Sequence, residues 1–150
     1  MPTKKITKPG MRSPVTSVVD RVELFAIGLD SLNANLDRSN YAEAYAEDNT
    51  KIARRIQSVY RVTDYSEEHF DVSATVYLRI EAKGFKDPIL SIDATVTGHF
   101  HPKKSLSKND AESFAHGEAR LIFWPYFRQL VSDTTARMHV RTVTLPLVVS

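Results

Sequence analysis

The sequence predicts an α+β fold: a four-stranded antiparallel β-sheet, a long helix from the C-terminal half packed on it, and a short terminal strand. Three observations carry this. FDVSATVYLRIEA and LSIDATVTGHF, residues 70–82 and 90–100, alternate apolar and polar side chains on either side of a short Gly/Asp/Pro turn. FWPYFRQLVSDTTARMH, residues 123–139, repeats apolar residues at three- and four-residue spacings. The strands precede the long helix rather than alternating with helices, which is the order of an antiparallel sheet covered by a helix, not of parallel crossovers.

The elements follow in order. Ser13-Pro14 offers a capping hydroxyl with proline at the first helical position, so a short helix through Val15, Val18, Val19 and Val22 is predicted. In LFAIGLDSLNANL, Phe25, Ile27 and Leu29 alternate on one phase and Leu32, Ala34 and Leu36 on the other. A strand with a bulge near Asp30 and Ser31 accommodates both. DRSNYAEAYAEDNT has no periodic apolar face and reads as a loop or one poorly anchored helix. Ile56, Ser58, Tyr60 and Val62 open the second strand. In the third, Phe70, Val72, Ala74, Val76, Leu78, Ile80 and Ala82 face one way and only Tyr77 breaks the polarity of the other side. Gly84 to Pro88 turn the chain into the fourth strand, Leu90 to Phe100, and the pair is an antiparallel hairpin. SKNDAESFAHG reads as a short helix ended by Gly117. The long helix then runs from about Ala119 to His139, with Leu121, Trp124, Phe127, Leu130, Val131, Thr134 and Met138 on one broad face. Pro125 must kink it or lie in its first turn. In the tail, Val143, Leu145 and Leu147 alternate with Thr142, Thr144 and Pro146, as expected of a short edge or terminal strand.

At 150 residues the chain suits one domain: a disordered basic leader over 1–12 and a single domain over 13–150. The leader holds Lys4, Lys5, Lys8 and Arg12 without an acid. With those four set aside, 16 basic residues face 18 acidic ones. The folded body is therefore mildly acidic, which argues against a nucleic-acid partner. No apolar run approaches the roughly 20 residues of a membrane span, no secretory signal opens the chain, and no cysteine is present. The expected compartment is the cytoplasm.

The candidate chemistry is thin. His99 and His101 in GHFHP, with Asp93, Asp110 or His116 as a third partner, have the residue types of a metal site, but Pro102 ends the strand beside them and nothing else converges. Polar histidines at a strand end are the expectation, with no metal and no cofactor. Asp64, Glu67, Glu68 and Asp71 cluster at a turn, where solvation rather than acid–base work is expected. Lys103 and Lys104 are too few for a nucleic-acid footprint. The five glycines stand singly, so no phosphate-binding loop or nucleophile elbow occurs, and no enzymatic activity is expected. The aromatic helix is different: one helix cannot cover both faces of a sheet and also hide its own wide apolar stripe. Some of that surface is expected to meet another subunit or a client.

WPYFRQLVSDTTAR followed by a Leu-Pro-containing tail resembles the SecB-type export chaperone family, whose last long helix opens with an aromatic-Pro-Tyr-x-Arg pattern and ends in Arg. Trp124, Pro125, Tyr126, Arg128, Arg137, Leu145 and Pro146 carry the likeness, and TGHF is similar to the Gly-x-Phe that closes the family's last sheet strand. Met138 replaces the family's glycine after that Arg and Val140-Arg141 its Phe-Pro, so the helix exit is expected to differ. The resemblance implies a SecB-like fold and an ATP-independent holdase, a homo-oligomer built as a dimer of dimers, that binds unfolded polypeptide along apolar grooves. The sequence given stops at Ser150, where export chaperones continue into a second helix and a motor-docking tail. It is therefore similar to the relatives that serve as dedicated chaperones for an antitoxin in tripartite toxin–antitoxin–chaperone systems, and an antitoxin is the expected client. General preprotein export is the alternative, and a small-ligand or enzymatic domain with a pocket between the helix and the Val76/Ile92 face a second. Under the chaperone reading, Ile27, Leu29, Leu90, Ile92 and Val96 are the expected client contacts, while Trp124, Phe127, Leu130, Val131 and Met138 divide between core and subunit interface.

Overall fold

The structure, a computed structural model, describes residues 22–46 and 50–147; the expected leader lies outside them, as does the expected N-terminal helix except for Val22, which instead opens a strand. Its elements are β1 (Val22–Leu36), α1 (Arg38–Ala46), β2 (Ile52–Tyr65), β3 (Phe70–Ala82), β4 (Leu90–Pro102), α2 (Lys108–His116) and α3 (Ala119–Arg137). The sheet order is β1-β4-β3-β2, with every neighbouring pair antiparallel. β2, β3 and β4 form a meander. β1 ends at Leu36 beside Leu90, whereas β2 begins at Ile52 beside Ala82. The connection containing α1 therefore crosses the ends of β4 and β3.

The hairpin β3–β4 appears as its alternation predicts, Ile80 pairing with Leu90. Gly84 takes φ 95° in the turn, a conformation L side chains avoid. One face of these strands is fully buried, from Phe70 to Ala82 and from Leu90 to Phe100. The segment over 38–46 is the weakly anchored helix of the two expected forms. It buries only Ala44, and the Asp37 carboxylate caps it by accepting from the backbone N–H of Asn40 at 3.0 Å. α2 is capped by Ser107, which accepts from the Asp110 N–H at 3.1 Å, and it ends at Gly117.

α3 buries Phe123, Trp124, Phe127 and Val131. Pro125 lies past the first turn, where it leaves the carbonyl of the exposed Leu121 without its helical donor. The altered exit has a clear geometry. His139 adopts φ 58°, its N–H reaches the Ala136 carbonyl at 3.2 Å, and the Val140 N–H reaches that of Thr135 at 3.4 Å. This is a Schellman-type stop with histidine in the position glycine usually holds.

The core under α3 is aromatic. Phe70, Phe100, Phe114, Phe123 and Phe127 are joined by ring contacts with centroids 5.1 to 6.5 Å apart. Gly98 on β4 makes room for it: a Cβ there would lie 2.8 Å from Phe123 Cζ and 2.9 Å from Phe100 Cε2.

The terminal segment corrects one expectation. Residues 141–147 join no β-ladder, although Val143 and Leu145 are buried and Leu147 is exposed. Its backbone groups are instead taken up by side chains, as an accounting of buried polar groups requires.

Candidate functional site

Among the described residues Val59, Leu121 and Leu147 are exposed singly, whereas along β1 several open apolar side chains line up, and two bulges align them. Directly opposed residues of an antiparallel pair share a face. Leu24 opposes Phe100, Ile27 opposes Gly98, Leu29 opposes Val96 and Leu32 opposes Ala94, with register shifts between Leu24 and Ala26 and between Leu29 and Ser31. All four therefore lie on the helix side of the sheet, and the bulge expected near Asp30 is what merges the two apolar phases of the strand. The Thr97 hydroxyl donates to the Asp30 carboxylate and holds the second bulge. α2 packs against β2 and α3 against β3. β1 lies at the far edge, so Leu24, Leu29 and Leu32 stay 40–44% exposed and Ile27 half-buried.

The expected client contacts thus divide. Leu29 and Ile27 belong to the open strip. Leu90, Ile92 and Val96 are 0% exposed and reach no polypeptide unless the covering helices lift; they occupy central strands, and that part of the expectation is corrected. Val76 is equally closed. Trp124, Phe127 and Val131 belong to the core of the single chain, while Leu130 and Met138 pack half-buried at its margin.

The opposite face of the sheet is polar. Arg79 pairs with Asp93 at 2.6 Å, which raises the guanidinium's already high pKa, and Arg55 makes a two-pronged pair with Glu81 at 2.9 Å. Thr75 and Thr95 share a hydrogen bond at 3.0 Å. The histidines of GHFHP are engaged here: His99 Nδ1 lies 2.7 Å from the Asp71 carboxylate, and His101 stacks on Phe25 at 4.7 Å. At the β2–β3 turn Asp64 meets His69 at 3.3 Å and Glu67 accepts from the Ser105 hydroxyl at 3.0 Å. Among the described residues no three metal-ligating side chains converge, and no helix is long and apolar enough to cross a membrane.

The residues that sequence reasoning missed clamp the terminal segment. Arg38 donates to the Met138 carbonyl at 3.1 Å and Arg54 to that of Thr144 at 3.0 Å. Arg128 donates to the Leu145 carbonyl at 3.0 Å and the Trp124 indole N–H to that of Pro146 at 2.7 Å. The buried Thr135 hydroxyl accepts from the Val143 N–H at 3.0 Å. Trp124 and Arg128, which stood out as motif residues, hold the carbonyls of Leu145 and Pro146, which belong to the same motif. The signal was that co-occurrence, with a proline that cannot donate to a ladder.

No family model matches the chain, and no curated protein sequence matches it. Solved structures do. The chain is similar to Mycobacterium tuberculosis Rv1957, a SecB-like chaperone solved in complex with a ChAD peptide from the Rv1956 HigA1 antitoxin, with a TM-score of 0.71 and 18% identity over 87% of this chain and 93% of that one. It is less similar to a Streptococcus agalactiae protein of unknown function, with a TM-score of 0.48 and 11% identity over 83% of this chain and 96% of that one. The element order, the four-stranded antiparallel sheet and the first of these likenesses agree: the chain has the SecB-like fold.

Proposed function

We propose that this protein is an ATP-independent holdase for unfolded or aggregation-prone polypeptide, without catalytic activity, and that its client is an antitoxin. The observation that carries the reading is the strip of Leu24, Ile27, Leu29 and Leu32, aligned on one side of an edge strand by two bulges. A long edge strand with an apolar face is a hazard for an isolated chain, and burial against an extended segment of almost any sequence removes it, because hydrophobic association is non-directional. The likeness to a SecB-like chaperone solved with an antitoxin peptide supports a polypeptide client and favours an antitoxin. In the same reading the protein works as a homo-oligomer, a dimer of dimers, and no nucleotide, metal or cofactor takes part.

The test is light scattering of a heat- or dilution-unfolded protein, and of any antitoxin found encoded beside this chain's gene, with and without the chaperone and with no nucleotide. Wild type suppresses the scattering. Leu29→Asp with Leu32→Asp, changes at exposed positions, weaken client binding roughly thirtyfold, since each half-open leucine contributes about 1 kcal/mol on burial. Scattering unaltered by wild type, or suppressed equally well by the double variant, refutes the proposal.

A further inference from the structure

The apolar strip is regular only because two residues of β1 stand out of step. Along the sequence its members, Leu24, Ile27, Leu29 and Leu32, are spaced by three, two and three. An unbroken strand would put Leu24 and Leu32 on one face and Ile27 and Leu29 on the other. Instead their partners are Phe100, Gly98, Val96 and Ala94, every second residue of β4. The row therefore has the two-residue pitch of a strand, about 7 Å, over a length of about 20 Å.

The extra residues are Phe25 and Asp30, which the register passes over. A bulge sets two residues against one, and here each extra side chain is pinned to β4. The Phe25 ring, although 71% exposed, stacks on His101 with centroids 4.7 Å and planes 7° apart. The Asp30 carboxylate accepts from the Thr97 hydroxyl. Thr97 and His101 alternate with the buried residues of β4, so both pins lie on the polar face, opposite the strip they align. A bulge that slid along β1 would turn every residue it passed to the other face and break the row. The three leucines and the half-buried Ile27 open on the order of 250 Å² of surface, short of the about 800 Å² that each partner of a stable complex buries. A second copy is not held by so narrow a row alone; one extended segment, whose alternate side chains have the same pitch, covers it.

We propose that Phe25 with His101 and Asp30 with Thr97 are positioning pairs that hold the strip at this pitch, and that the protein therefore selects extended client segments with apolar side chains at every second position, whatever their identity. The proposal rests on the reading of the strip as the polypeptide site.

Fluorescence anisotropy with two labelled, end-blocked peptides of eight residues and one composition tests it. One carries leucine at its positions 1, 3, 5 and 7, the other at 1, 4, 5 and 8, and both are too short for a stable helix. Extended, the first offers four leucines to the row and the second two. Wild type binds the first roughly thirtyfold more tightly, the value of two half-open leucine contacts. Thr97→Val with His101→Ala removes most of that preference, whereas Thr97→Ser with His101→Phe, which keep a hydroxyl and a flat ring, retain it. Deleting Phe25 and Asp30 from the Thr97→Val, His101→Ala protein restores the preference, because Leu24, Ile27, Leu29 and Leu32 then alternate without bulges; a loss of stability by itself predicts no such rescue. Thermal unfolding checks each variant. Equal affinity of wild type for the two peptides overturns the selection by pitch and leaves the holdase reading standing. A preference that survives Thr97→Val with His101→Ala, or that the deletions do not restore, overturns the positioning role. Binding of neither peptide overturns the holdase reading as well.

Discussion

Substituting Gly98 by alanine adds one methyl where the sheet, α3 and the β1 strip meet. The new Cβ lies 2.8 Å from Phe123 Cζ and 2.9 and 3.2 Å from two ring atoms of Phe100. Carbon atoms in contact sit about 3.5 to 4.0 Å apart, so the shortest approach must open by roughly 0.7 Å. Neither ring has free space: both are 0% exposed, they lie 6.2 Å apart, and Phe100 is held in turn by Phe70 and Phe114. Overfilling such a core costs about 1 to 3 kcal/mol, offset by about 0.5 to 1 kcal/mol for replacing glycine inside a strand. The expected net loss is about 1 to 2 kcal/mol, seen as a fall in Tm of roughly 3 to 8 °C at fixed protein concentration, and as a lower urea midpoint with an unchanged slope. Shortening the opposing ring with Phe123→Leu should make the two changes less than additive, with a coupling above about 0.5 kcal/mol. A Gly98→Ala protein as stable as wild type, or strict additivity in that cycle, refutes the argument that glycine is required by close packing.

Three further outcomes are expected. His139→Gly relieves a left-handed conformation at the end of α3 and raises stability by about 0.5 to 1 kcal/mol after the added chain entropy; a lower Tm contradicts it. Thr135→Val keeps the shape but leaves the buried Val143 N–H without its acceptor, which costs about 1 to 3 kcal/mol and speeds hydrogen exchange at that amide; an unchanged exchange rate counts against the clamp. Burial, with Tyr41 next to it, raises the pKa of the Tyr45 hydroxyl against the opposite pull of Arg141 and Arg54. The folded chain thus holds that proton more tightly than the unfolded one, so stability is full below about pH 10 and falls as pH rises through the folded value. Tyr45→Phe flattens that alkaline loss, and a tyrosinate absorbance titration without a late-ionising group rules the shift out.

The strand periods of β3 and β4, the stop of α2 at Gly117, the bulge at Asp30 and the aromatic face of α3 were all legible in the residues themselves, because alternation, helical spacing and turn chemistry are local properties of the chain. The sheet order was not, and the functional surface depends on it. Leu29 and Val96 oppose each other in the ladder, yet one is open and the other sealed, because the helices pack over the rest of the sheet and stop short of β1. The tail's alternating burial was readable from Val143 and Leu145, but its failure to form a strand was decided by side-chain donors from β2 and α3 that claim its carbonyls first. Tyr41 and Arg141, one hundred residues apart, meet only because α1 crosses the sheet end and α3 returns the chain to it. Local pattern thus determined the elements and which side chains are apolar or charged. Which of them remain at the surface, and in whose company, was decided by pairing and packing between distant segments, whose energies no short window of sequence contains.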